Sequence, residues 1–147
     1  RPHMVLHPYG FTSIMPTVSW TVLFHDEFDR EYRTLAKGLQ DELLAHALLL
    51  SQFGPGLGRP TVDTLKGSKH ANMKELRFGW QGEVWRVAFA FDPDRQAILL
   101  VGGDKGGADQ KRFYKRLIGL ADARFDMHLA SLATVAARKE KRHAKKS

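Results

Sequence analysis

An arginine inside an apolar strand is the residue whose type and place most need a chemical reason. Val84-Trp85-Arg86-Val87-Ala88-Phe89-Ala90-Phe91 alternates, with Val84, Arg86, Ala88 and Ala90 on one face and Trp85, Val87, Phe89 and Phe91 on the other. Burying a guanidinium is costly unless it is paired. Arg86 is therefore either held by a carboxylate, Glu75 or Asp104, or kept for an anionic ligand. Its planar fork can grip two phosphate oxygens at once. In the preceding segment Glu75, Arg77 and Gly79 share one face, and Lys74, Leu76 and Phe78 the other. Glu75 and Arg77 can border the same site as Arg86, either as working groups or as an ordinary cross-strand charge pair. Lys74 points the other way and ranks lower.

Further candidates lie in loops and at a helix start. Residues 54–72 form a polar loop carrying Asp63, Lys66, Lys69 and His70, and a loop of this length in a small domain is often functional. An acid in a loop is more commonly just solvated. Lys105 sits in Gly102-Gly103-Asp104-Lys105-Gly106-Gly107, where glycines permit close approach to a phosphate. This loop lacks the Gly-Lys-Ser/Thr ending of a P-loop. Lys111, Arg112, Phe113 and Tyr114 open the last helix; Tyr114 also falls on that helix's apolar stripe, so plain packing competes with a role in chemistry. The seven histidines form no metal-binding pair at helical spacing, and no metal or cofactor is expected. His70 is a candidate for acid–base work and His128 reads as structural.

The elements that position these residues follow from periodicity. Ser19 to Phe24 reads as a strand, and Asp26 as the N-cap of a helix with Phe28, Tyr32 and Leu35 at helical spacing. Gly38 closes that helix or marks a bend into a second, about Leu39 to Phe53. Met73–Trp80, a Gln81-Gly82 turn, Val84–Phe91, an Asp92-Pro93-Asp94 turn and Ala97–Gly102 form a meander. The last of these strands is apolar throughout, as suits burial on both faces. A final helix starts near Asp109, with Leu117, Ile118, Ala121, Phe125, Leu129 and Leu132 on its stripe, and frays into a Lys/Arg tail. Residues 1–17 show no periodicity and read as an extended or flexible lead-in, 18–134 as one domain, and 135–147 as a basic tail. The order β-α-α-β-β-β-α indicates a small two-layer α+β domain, its sheet mainly antiparallel and its helices packed on one face.

Composition bounds the function. A chain of 147 residues, 43% hydrophobic and 27% charged, fits one soluble domain. The absence of cysteine excludes disulfides and a thiol nucleophile and is compatible with a reducing cytoplasm. No apolar run reaches membrane-helix length, and residues 1–15 lack the apolar core of a signal peptide. Of the net charge of +7, residues 138–147 carry +5. Within the rest, Asp26–Glu42 carries −3 and Arg59–Arg116 carries +5, so a basic half surrounds the candidate residues. Such a half suits a phosphate-rich partner, although a solvated surface of mixed charge is an equal reading.

Four words in this order and spacing resemble one family: Met73-Lys74-Glu75-Leu76-Arg77-Phe78, Val84 to Phe91, Leu100-Val101-Gly102-Gly103-Asp104-Lys105, and Arg112-Phe113-Tyr114 opening the last helix. They resemble the HigB-like, phage-derived branch of the RelE/ParE superfamily, over roughly residues 18–130. The resemblance implies a cytoplasmic toxin of a type II toxin–antitoxin pair. It implies a monomer alone and a hetero-oligomer with a cognate helix-turn-helix, HigA-like antitoxin. Its activity would be ribosome-dependent cleavage of mRNA, without metal, by attack of a ribose 2′-OH on the adjacent phosphate.

That reaction needs a base for the 2′-OH, an acid for the leaving 5′-oxygen and cations for the charge gathering on the phosphate. In family members an arginine at the position of Arg86 contacts the scissile phosphate. Val62-Asp63-Thr64-Leu65-Lys66-Gly67 resembles the loop that carries the general base in the YoeB branch. The family often has a basic residue at the position of Lys105, and an aromatic near Tyr114 stacks on a base or assists proton transfer. The catalytic candidates are thus Arg86, Arg77, Glu75, Lys105, Tyr114 and Asp63, and the RNA-binding candidates Lys66, Lys74, Lys111, Arg112 and Phe113. RelE has a lysine pair on the strand where this chain has Met73 and Glu75, so its lysine chemistry does not carry over and the general base is unassigned. The same fold also serves ParE-like gyrase inhibitors, and a non-catalytic RNA-binding protein is the third reading. The basic tail is either a non-specific rRNA contact or a solubilising end.

Overall fold

The computed structural model describes residues 3–6, 12–15, 20–107 and 109–146, the first two segments and residues 145–146 by backbone alone. Strands β1 (His3–Leu6) and β2 (Thr12–Met15) pair antiparallel as a separate two-stranded sheet, where the sequence showed no alternation. The expected first residue of the next strand, Ser19, and the remainder of the lead-in lie outside the described residues. Next come β3 (Thr21–Phe24), α1 (Asp26–Arg33), α2 (Lys37–Phe53), β4 (Val62–Thr64), β5 (Lys74–Trp80), β6 (Glu83–Phe91), β7 (Gln96–Asp104) and α3 (Gln110–Lys146). They build an α+β fold on a five-stranded sheet of order β3-β7-β6-β5-β4, antiparallel except for the parallel pair β3–β7. Among the described residues no helix is long and apolar enough to cross a membrane.

The expectation that the helices share one face is corrected. Helices α1 and α2 cover one face, where Phe28, Leu43 and Leu50 meet Leu76, Phe78, Val87, Phe89 and Leu99. Helix α3 covers the other, where Leu117, Ala121 and Phe125 meet Ala88, Ala90, Ile98 and Leu100. The continuous apolar run in β7 requires this, since each of its faces must be removed from water. The small residues Ala88 and Ala90 let α3 lie close to the sheet.

Local chemistry sets the boundaries. His25, not Asp26, caps α1: its Nδ1 accepts the Glu27 amide at 3.2 Å, and Asp26, Glu27 and Asp29 fall in the first turn, where the helix dipole favours acids. Gly38 neither ends α1 nor marks the bend. It is the second residue of α2, and a Cβ there would stand 2.5 Å from the Trp80 ring. Strand β4 was not expected in the 54–72 loop; three residues are too few to show an alternation. The Gln81-Gly82 turn has both residues at positive φ, 48° and 79°, the form that suits a two-residue hairpin. Asp109 caps α3 by accepting the Lys111 amide at 2.8 Å. The helix runs unbroken to Lys146 instead of fraying at the basic tail.

A β-bulge between β6 and β7 leaves Leu100 without a Cα partner, because Ala88 pairs with Val101 and Phe89 with Leu99. The Leu100 carbonyl accepts Arg124 Nη1 at 2.7 Å. The same guanidinium grips both Glu31 carboxylate oxygens, at 2.9 and 2.6 Å, and so ties α3 to α1.

Candidate active site

Register brings the candidates together. Across the sheet Asp63 lies beside Glu75, then Ala88 and Val101; one row on, Arg77 lies beside Arg86, then Gly103. All these positions share the face that α3 covers. The N-terminal turns of α3 bring Phe113 and Tyr114 down onto this row. Gly103 lies next to the first of them: a Cβ there would meet the Phe113 ring at 3.6 Å, an ordinary contact.

The cluster converges on one atom, Glu75 Oε1. The Tyr114 hydroxyl donates to it at 3.0 Å, Arg86 Nε lies 3.6 Å away and Arg77 Nη1 3.9 Å away. Glu75 is 4% exposed, whereas the side chains of Arg86 and Arg77 keep 17% and 29% of their surface. The arginines thus reach solvent while the carboxylate sits beneath them. Arg86 donates through Nη1 to the Val84 carbonyl at 3.1 Å, and its guanidinium carbon lies 5.9 and 5.7 Å from the Phe113 and Tyr114 ring centres. Its buried Nε makes no hydrogen bond within the described structure, since the approach to Glu75 is too long for one.

Burial pushes the Glu75 carboxyl above its ordinary range; the Tyr114 hydrogen bond and the two arginines oppose this without overcoming it, and Asp63 adds to the rise. Burial likewise raises the Tyr114 phenol, and the neighbouring Glu75 charge and hydrogen bond raise it further. Tyr114 is therefore held as a proton donor, with its hydrogen aimed at Glu75.

The other sequence candidates fall around this centre. Asp63 is beside Glu75 in register, its Oδ1 accepting the Thr64 amide at 2.8 Å and its Oδ2 3.7 Å from Arg59 Nε. Lys66 and Lys111 line a cleft that adjoins Tyr114. Lys74 is on the opposite face, as its place in the alternation indicated. Lys105 follows the last residue of β7 and Arg112 is exposed on α3; among the described residues neither makes a hydrogen bond or ion pair with the cluster. His70 does not join it either: its Nε2 is 2.8 Å from Asp126, fixing the 67–72 loop to α3. His128 is structural, with Nε2 2.7 Å from the buried Asp92. The sequence reading missed Arg59, Lys115 and Arg124; of these only Lys115 carried a signal, four residues after Lys111 on one helix flank. Among the described residues no group of His, Asp and Glu is placed to hold a metal ion.

Comparison with known proteins gives this geometry a family. The "Putative toxin HigB2" of Mycobacterium tuberculosis is 49% identical over 96 residues, 64% of this chain and 47% of that protein. The "Putative toxin HigB3" of the same organism is 54% identical over 83 residues, 56% of this chain and 70% of that protein. The chain thus spans about half the length of the first relative. A doubly substituted Escherichia coli toxin RelE in the free state aligns at a TM-score of 0.48 and 10% identity, covering 68% of this chain and 94% of that one. The family described as phage derived protein Gp49-like matches residues 30–126, two-thirds of the chain and all of the Arg86 cluster, and this chain belongs to it.

Proposed function

We propose that this chain is the toxin of a type II toxin–antitoxin pair and cleaves mRNA on the ribosome, with a cognate antitoxin holding it inactive. The observation that carries the reading is the pair Arg86 and Arg77 gathered with the Tyr114 hydroxyl around Oε1 of the buried Glu75. A phosphodiester is the ligand that this arrangement suits. Two forks can take its non-bridging oxygens, and positive charge fixed there stabilises the extra negative charge of the pentacoordinate phosphorus. Similarity to proteins named as HigB toxins supports the same reading.

In the reaction the 2′-oxygen forms a bond to phosphorus as its proton leaves, and the bond to the 5′-oxygen breaks. The products are a 2′,3′-cyclic phosphate and a 5′-hydroxyl. Tyr114, kept protonated, supplies the proton to the leaving 5′-oxygen. Two carboxylates on the face, Glu75 and Asp63, are available to the 2′-proton. Glu75 also acts as a positioning residue by holding Tyr114 and both arginines.

Induced expression followed by primer extension tests the reading. Wild type should arrest growth and leave new 5′ ends in transcripts. Arg86→Ala should lose both effects while remaining folded and still binding its antitoxin. Arg86→Lys should not restore them, because an ammonium lacks the fork. Growth arrest with intact transcripts and damaged DNA would place the chain with the gyrase inhibitors instead.

A further inference from the structure

Tyr114 also borders an open cleft of about 990 Å³. One wall is a flank of α3, where Lys111, Lys115, Ile118 and Gly119 recur at helical spacing. The other is the turn after β4, with Lys66 and Gly67. Gly67 has φ +99°, and a Cβ there would lie 3.8 Å from Ile118 Cδ1. Gly119 is inside a helix, where glycine is a poor choice, and a Cβ there would meet nothing within 4 Å. Neither the helix nor its packing calls for that glycine. It leaves the cleft open beside Ile118, where any side chain would project into it.

The charges of the cleft are also unequal in their freedom. Asp122 is committed, accepting the Ser68 hydroxyl and the Lys69 amide, and Asp109 caps the helix. Among the described residues Lys66, Lys111 and Lys115 have no ion pair. The cleft thus offers an aromatic ring in Tyr114, an apolar side chain in Ile118 beside a glycine, and three uncommitted cations. Those are the requirements of one nucleotide of single-stranded RNA, whose base needs a flat apolar surface and whose phosphate needs positive charge.

We infer that this cleft is a subsite for the nucleotide next to the scissile phosphate, its base against Ile118 and Gly119 and its phosphate on Lys66 and Lys115. The inference rests on the RNA-cleaving reading for its ligand. The slot sets how far the chain grips its substrate beyond the reacting bond. It also makes Gly119, where an added Cβ would meet nothing within 4 Å, a residue that decides binding.

The probe is a uniformly 2′-fluoro pentanucleotide, which has no 2′-OH to attack and so reports binding without cleavage. Titrated into the full chain, it should shift the Ile118 methyl resonance. Gly119→Leu should weaken its binding roughly tenfold by filling the slot, with a Tm equal to or above wild type because leucine is the better helix former. Lys66→Gln and Lys115→Gln should each lower the slope of log K against log salt by about 0.7, the value for one phosphate contact on a single strand. Unchanged affinity in Gly119→Leu, a silent Ile118 methyl, or no binding by wild type at millimolar probe would each overturn the subsite. If Arg86→Ala abolishes mRNA cleavage while Gly119→Leu binds normally, the subsite fails and the cleavage reading stands. If ribosome-bound mRNA stays uncut but Gly119→Leu loses the probe, the cleavage reading fails and the cleft remains an RNA site.

Discussion

Glu75 Oε1 gathers one hydroxyl and two guanidinium groups, yet burial still keeps the carboxyl above its ordinary range near 4.5. A raised acid favours the fold most fully below its unfolded pKa, and that contribution is lost as pH rises through the folded value. Glu75→Gln should therefore gain thermal stability relative to wild type as pH rises from about 4 to 8, followed by calorimetry across that range; a constant difference would refute the assignment. The same substitution should lower the cleavage rate by roughly 100-fold and remove an acid limb lying above pH 4.5, whereas Asp63→Asn should keep that limb if Glu75 takes the proton. At this scale the sequence was legible where period-two alternation held, which set Arg86, Arg77 and Glu75 on one face. Tyr114 was ambiguous because it does two things at once: its ring packs on the stripe of α3 and its hydroxyl bonds Glu75. Lys105 lies in the loop after β7, and the path of a loop cannot be read from periodicity.

Helix α3 serves two ends of the fold. Its first turns place Phe113 and Tyr114 over the site, while Arg124 and His128 fasten its middle to the sheet. Arg124 satisfies the carbonyl that the bulge frees at Leu100, so Arg124→Ala should cost about 2 kcal/mol, measured by urea unfolding; a loss under about 0.5 kcal/mol would show that the carbonyl finds another partner. For Asp92, burial alone would raise the carboxyl, but hydrogen bonds from His128, Gln96 and the Asp94 and Gln96 amides outweigh it and hold the acid below 3.8. Its contribution is present above the ordinary aspartate range and is lost as pH falls through the lowered value. His128→Ala should therefore narrow the pH range of stability from the acid side. The bulge was invisible in the sequence because it depends on the pairing of two strands. The burial of both faces of β7 was legible, and it decides that helices lie on both sides of the sheet.

For the whole molecule, the charge asymmetry acquires a location. The basic stretch from Arg59 to Arg116 holds β4, β5, β6, β7 and the start of α3, which are the elements around the Arg86 cluster and its cleft. The acidic stretch from Asp26 to Glu42 forms α1 and the start of α2, on the other side of the sheet. Helix α3 spans 37 residues, roughly 55 Å at 1.5 Å per residue, and the described side chains from Ala136 to Ala144 are all exposed. Removing residues 135–147 should shift Tm by less than about 3 °C, as a surface change does, while flattening the salt dependence of RNA binding; a large drop in Tm would mean that the tail packs on the domain. The central claim concerns Arg86, and single-turnover cleavage of mRNA programmed on purified ribosomes tests it most directly. Wild type should cut at defined positions, and Arg86→Ala should be slower by roughly 100-fold or more with its thermal melt little changed. Equal rates for the two proteins, or intact mRNA with folded wild type, would contradict the account.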